Sequence, residues 1–174
     1  MVVMKYNLPY SKKIMKYFKN PKNIGRIKQP DGIGRVGNIV CGDVMELYIK
    51  VKKDKRGIEK ISDAKFQTFG CVVAIALSSM LTEMVKGKSL RDAMKITNKT
   101  LLKESGKVPP IKVHCSVLAA DALQETIYNY LSKHKRKIPK ELEKQHTRIM
   151  KELKTLESAH PELVTFEKKV LKRK

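Results

Sequence analysis

Three cysteines hold the chain's reactive potential, in Cys41-Gly42-Asp43, Gly70-Cys71 and His114-Cys115. Their spacings are long, so they are not the close-set pairs of a zinc finger. Each thiol must arrive on its own element, and two arrive with a carboxylate or an imidazole close by. Three thiolates and an exchangeable fourth ligand suit a soft metal or an iron–sulfur cluster. Asp43 or His114 can supply the fourth ligand. Either holds cluster iron more weakly than a fourth thiolate, so a cluster bound this way is more easily released. Taken singly, each residue also has a plainer reading. A free cysteine is often a small buried hydrophobe, Asp43 suits a turn, and His114 suits a surface. Three thiols at three element boundaries favour ligation.

The elements that carry these residues follow from pattern. Residues 11–20 predict a helix capped by Ser11, striped by Ile14, Met15 and Phe18, and stopped at Asn20-Pro21. The stretch 21–37, rich in Gly, Pro and Asn, reads as loop. Residues 44–52 alternate, with Met45, Leu47, Ile49 and Val51 on one face, as in a half-buried strand. Asp54-Lys55-Arg56-Gly57 reads as a hairpin turn. Residues 58–69 form a second strand, and a short strand over 34–40 would complete a meander of three.

After Gly70 the period changes to that of helices. Residues 72–86 form one, ended by Gly87. Ser89 and Asp92 cap a short second one, and Thr97 to Ser105 give a third. Val108-Pro109-Pro110-Ile111-Lys112 is expected to be extended, because proline disfavours helix. A long helix follows over 116–132. Strands first and helices second predict an α+β fold: a three-stranded antiparallel sheet with helices packed on one face. Residues 1–132 make that domain. Residues 133–174 form a basic C-terminal helical extension with helices expected over 139–157 and 161–172. Their thin stripes (Leu142, Ile149, Leu153, Leu156; Leu163, Phe166, Val170) suit folding back or pairing with a partner helix.

This layout places Cys41 at a loop after a strand, and Cys71 and Cys115 at helix starts. Helix N-termini offer free N–H groups and the positive end of the dipole, which favour thiolate. Gly42 and Gly70 allow tight turns and leave room for a bulky ligand.

Composition narrows the setting. An odd count of three cysteines argues against a secreted disulfide framework. No apolar run approaches a membrane span, and the first residues are too short in their apolar part for a signal peptide. The expectation is a soluble protein of a reducing, cytoplasmic compartment. The net charge of +21 is spread along all 174 residues rather than held in a tail. It speeds encounter with acidic partners. Sparse aromatics and the lack of a nucleic-acid-binding motif argue for a lysine-rich surface over a nucleic-acid partner.

Several motifs occur together in register: Tyr10-Ser11, Asn20-Pro21-Lys22-Asn23-Ile24-Gly25, Cys41-Gly42-Asp43-Val44-Met45, Asp63-Ala64-Lys65-Phe66, Thr68-Phe69-Gly70-Cys71, Val85-Lys86-Gly87-Lys88 and Val108 through Ser116. Over about residues 8–132 the chain resembles the IscU type of iron–sulfur cluster scaffold, the NifU N-terminal domain family. The resemblance implies a non-enzymatic scaffold. Such a protein takes persulfide sulfur from a cysteine desulfurase, combines it with iron into a [2Fe–2S] cluster, and passes the cluster to apo iron–sulfur proteins. It implies that Cys41, Cys71 and Cys115 ligate, that Cys115 accepts the persulfide, that Asp43 binds iron and assists release, and that His114 is an alternative ligand. It implies that a DnaK-type chaperone grips Val108, Pro109, Pro110, Ile111 and Lys112. Lys112 pairs with Asp43 or a thiolate, and zinc enters, when the site holds no cluster. A homodimer is compatible with it.

The chain departs from the family pattern at Val72, where glycine is usual after the second cysteine, at Val108 and Ile111, and in the extension after 133. A second branch of similar proteins uses bound zinc to accept sulfur from, and activate, a desulfurase. The insertion typical of that branch is missing between Cys71 and Cys115, which favours the scaffold branch.

Overall fold

The structure is a computed structural model, and it describes residues 10–38, 41–159 and 161. Met45, Leu47 and Ile49 alternate along β2 (Val44–Lys53), and all three are fully buried. That inward row makes β2 the central strand. β1 (Gly32–Gly37) and β3 (Glu59–Phe69) flank it, both antiparallel, in the order β1-β2-β3. The β2–β3 turn forms as Asp54 accepts the N–H groups of Arg56 and Ile58, and Gly57 takes a φ of +76°. Ile61 and Ala64 both face the core although an odd spacing separates them. A bulge resolves this: pairing steps from Lys50↔Asp63 to Val51↔Ile61 and leaves Ser62 unpaired.

The first strand differs from expectation. The loop expected over 21–37 contains it, and the strand expected over 34–40 begins two residues earlier; positions 39–40 lie outside the described residues. The glycines that suggested a loop serve packing. A Cβ on Gly32 would lie 2.7 Å from the carbonyl oxygen of Thr126, and one on Gly34 would collide with the Thr126 backbone and hydroxyl. Bare backbone there lets a helix lie directly on the strand.

That helix is α5 (His114–Lys133), which crosses β1 and β2. α2 (Val72–Val85) lies beside it against β3, so the sheet is covered on one face, and the two helices enclose a single core. The smaller helices are capped at their starts: α1 (Lys12–Lys19) by Ser11 and α3 (Leu90–Ala93) by Ser89, where sequence placed caps, and α4 (Asn98–Ser105) by Thr97, which sequence placed inside the helix. α2 is buried on nearly all sides, including Ser79 and Thr82. The Asn20–Gly25 segment satisfies them. Lys22 N–H donates to Ser79 Oγ at 2.7 Å, and Asn23 Nδ2 donates to Thr82 Oγ1 at 2.9 Å.

The proline segment is a second correction. Pro109 is extended (ψ 139°), as a residue before proline prefers, but Pro110–Lys112 forms a 3₁₀ turn leading into α5. Proline is tolerated at the first position of a helical turn because its missing N–H would have no partner there. α5 therefore starts two residues earlier than expected.

α6 (Lys140–Ala159) folds back on α5 and β1, burying Leu142, Ile149, Leu153 and Leu156. Polar contacts seat it. Arg148 Nη2 donates to Asp121 at 2.7 Å, and His146 Nδ1 lies 2.8 Å from a Glu125 carboxylate that is only 2% exposed. The helix expected over 161–172 lies beyond the described residues apart from Pro161. Among the described residues no helix is long and apolar enough to cross a membrane.

Candidate metal centre

β2 begins, and β3 ends, at the same edge of the sheet, where Val44 pairs with Phe69. This brings the residue before β2, Asp43, against the start of α2. Gly70 makes the approach possible. A Cβ there would lie 2.9 Å from Ala74 Cβ and 3.1 Å from Asp43 Cγ and Oδ2. The first turn of α5 supplies the third member. Asp43, Cys71 and Cys115 offer ligand atoms that all lie within 4.8 Å of one another. Cys71 Sγ and Cys115 Sγ are 3.5 Å apart, and Cys115 Sγ is 3.9 Å from Asp43 Oδ2.

The two thiols in contact are unequal. The hydrogen bond from Cys115 pulls the Cys71 thiol down to about 6, against the opposing effect of burial; the Ala74 and Val73 amides at the start of α2 add to the fall. The same contact, then burial and the neighbouring charges of Cys71 and Asp43, pushes Cys115 far up. The contact therefore favours thiolate at Cys71 and thiol at Cys115, which is 1% exposed.

Cys41 stands beside the group of three and outside it. Its thiol is pushed up by burial, and the nearby Asp43 and Cys71 bear on it electrostatically. Cys41 N–H and Sγ both face Asn38 Oδ1, at 3.3 and 3.5 Å. Gly42 turns the chain there with a φ of +69°. His114 is also outside the group, and its Nε2 is buried with no hydrogen-bond partner among the described residues. A buried imidazole nitrogen without a partner is costly unless it is reserved for a ligand. Lys112 is near enough for the negative charge of Cys71, and next that of Cys115 and Asp43, to raise its ammonium above its usual range.

Thiolates, a carboxylate and a spare imidazole nitrogen form a donor set for a thiophilic metal or iron–sulfur cargo. Of the two exposed apolar residues beside this group, only Phe69 escapes the sequence reading. Phe69 is 70% exposed at the end of β3, and Ile111 is 77% exposed in the 3₁₀ turn. Phe69 was assigned a strand position with no sign that the strand ends in open solvent.

Comparison with known proteins yields consistent matches. A family model described as NifU-like N terminal domain matches residues 9–137. The iron-sulfur cluster assembly scaffold protein IscU 1 of Archaeoglobus fulgidus is 52% identical over 125 residues, spanning 72% of this chain and 78% of that protein. The iron-sulfur cluster assembly scaffold protein IscU of Haemophilus influenzae is 49% identical over 129 residues, 72% of this chain and 98% of that protein. Among solved structures, a putative iron-sulfur cluster assembly scaffold protein for the SUF system from Fervidobacterium islandicum aligns with a TM-score of 0.54 at 25% identity. That alignment covers 68% of this chain and 96% of the other.

Proposed function

Because the chain belongs to the NifU-like N-terminal domain family, we propose that it is a scaffold on which an iron–sulfur cluster, a [2Fe–2S] unit, is assembled and then handed to apoproteins. The observation that carries this reading is the convergence of Asp43, Cys71 and Cys115 within 4.8 Å. Cys41 and His114 stand at its margin as further ligands. The cluster is cargo, so a site with replaceable ligands suits it better than four thiolates.

Sulfur arrives as a persulfide on the cysteine of a desulfurase. Cys115 attacks the outer sulfur, the S–S bond to the desulfurase breaks, and the desulfurase cysteine leaves as thiolate. Cys71 is positioned to take the Cys115 proton across their 3.5 Å contact. Asp43 binds iron and, as a hard oxygen donor, gives it up more readily than a thiolate does. Lys112 neutralises the thiolates when no iron is bound. The segment Val108 to Lys112 offers the exposed Ile111 to a DnaK-type chaperone. The catalysis of sulfur release belongs to the desulfurase, and this chain's role is non-enzymatic.

Anaerobic incubation with ferrous iron, cysteine and a cysteine desulfurase tests the proposal. The expected result is a visible cluster chromophore that Cys41→Ala, Cys71→Ala and Cys115→Ala each weaken or abolish. Binding of zinc alone, with rising desulfurase turnover and no chromophore, would overturn it in favour of a zinc-bound sulfur acceptor.

A further inference from the structure

Cys41 is held differently from the other two thiols. Cys71 stands immediately before α2 and Cys115 in the first turn of α5, whereas Cys41 lies in a turn between β1 and β2. Asn38 is the hub of that turn. Its N–H donates to Asp43 O at 2.9 Å, its carbonyl accepts from Gly42 N–H at 2.9 Å, and its side-chain oxygen faces Cys41. The turn hangs from Gly37, the last residue of β1.

At Gly37 α6 lies directly on the sheet. A Cβ there would lie 2.5 Å from Leu156 Cδ2 and 3.2 Å from Leu153 Cδ1. One turn pitch along, Glu157 pairs with Arg35 at 3.2 Å. The first half of α6 is fastened to α5 by Arg148–Asp121, His146–Glu125 and the stacking of His146 on Tyr128 at 3.8 Å. Cys115 is on α5. α6 therefore ties the helix bearing one thiol to the strand end that carries another. We propose that α6 is a positioning element for Cys41: Leu153 and Leu156, seated on the bare backbone of Gly37, set where Asn38 and Cys41 stand relative to Cys71 and Cys115.

The inference rests on the scaffold reading only in treating Cys41 as a ligand, and its test needs neither iron nor desulfurase. In the full chain, Leu156→Ala is compared with the parent by timed alkylation, with each cysteine followed by mass spectrometry. Cys41 should react several-fold faster while Cys71 and Cys115 keep their rates. Cadmium titration should show the sulfur-to-metal charge-transfer band losing about one third of its intensity, as three thiolate ligands become two. Leu156→Met, which refills the space, should restore both readouts. Gly37→Ala attacks the contact from the other side and should also free Cys41 selectively. Combining it with Leu156→Ala, which makes room for the new methyl, should reverse that effect. Equal acceleration of all three cysteines would mean that α6 only stabilises the domain. Unchanged rates in a folded Leu156→Ala would also overturn the proposal. Should Leu156→Ala fail to fold, Gly37→Ala and its pairing decide by the same readouts. Failure to build a cluster would overturn the scaffold reading and leave these measurements intact.

Discussion

The carboxylate of Asp43 occupies the space that a side chain at Gly70 would need, with Asp43 Cγ and Oδ2 3.1 Å from the position of its Cβ. These residues are 27 positions apart in the chain, yet each is there because of the other. Glycine at 70 lets the loop before β2 meet the start of α2, and only then does Asp43 reach the thiols. Gly70→Ala should therefore displace Asp43 and crowd Ala74. We expect a loss of about 1–3 kcal/mol in stability, the usual cost of overpacking, and weaker ferrous iron binding. Chemical denaturation and an iron titration check the two effects.

The inequality of Cys71 and Cys115 should be visible by pH. Cys71 alkylation should follow a midpoint near 6, and Cys115 should need a higher pH to react. The Cys115 hydrogen bond is the largest cause of the Cys71 shift, so Cys115→Ala should raise the Cys71 midpoint. A midpoint that stays in place would assign the shift to the start of α2 instead.

Asp43→Ala should retain the three thiolates and lose the oxygen donor. A cluster formed on that variant should pass more slowly to an apo-ferredoxin, measured by the rate of ferredoxin appearance. Faster transfer would remove Asp43 from the release step.

Asp31 extends the β1–β2 ladder with its side chain. Burial alone would raise its carboxyl, but the Val51 amide, donating at 2.8 Å, and the Lys50 ammonium at 3.1 Å hold it below the usual range. A carboxylate depressed by folding contributes stability that is complete above its unfolded value near 3.8 and is lost as pH falls through the lower folded value. Asp31→Asn should remove this component. The variant should be less stable at neutral pH, by about 1 kcal/mol, and should lose less stability than the parent on acidification below 3.8. Urea midpoints across that range measure it.

Much of the fold was legible because local patterns and tertiary demands agreed. The alternation of β2 and β3, the Asp54–Gly57 turn and the caps Ser11 and Ser89 each follow from nearest-neighbour chemistry. The misplaced strand β1 is instructive. Gly32 and Gly34 look like turn residues from sequence, and their purpose becomes visible only when α5 lies on them. The 3₁₀ turn at Pro110 was missed for a related reason. In sequence proline reads as a helix breaker, whereas at a first helical position its missing N–H costs nothing.

By itself the sequence determined the cast: three thiols, a nearby carboxylate and imidazole, the period changes that place the thiols at element ends, and motifs that mark the family. These are properties of residue type and short spacing, which a linear chain displays directly. Tertiary structure decided how close the cast stands. It grouped Asp43 with Cys71 and Cys115, made the two contacting thiols unequal, left Cys41 and His114 at the margin, and laid α6 against Gly37. Those outcomes depend on contacts between segments tens of residues apart, and such contacts exist only once the sheet and its helices have packed.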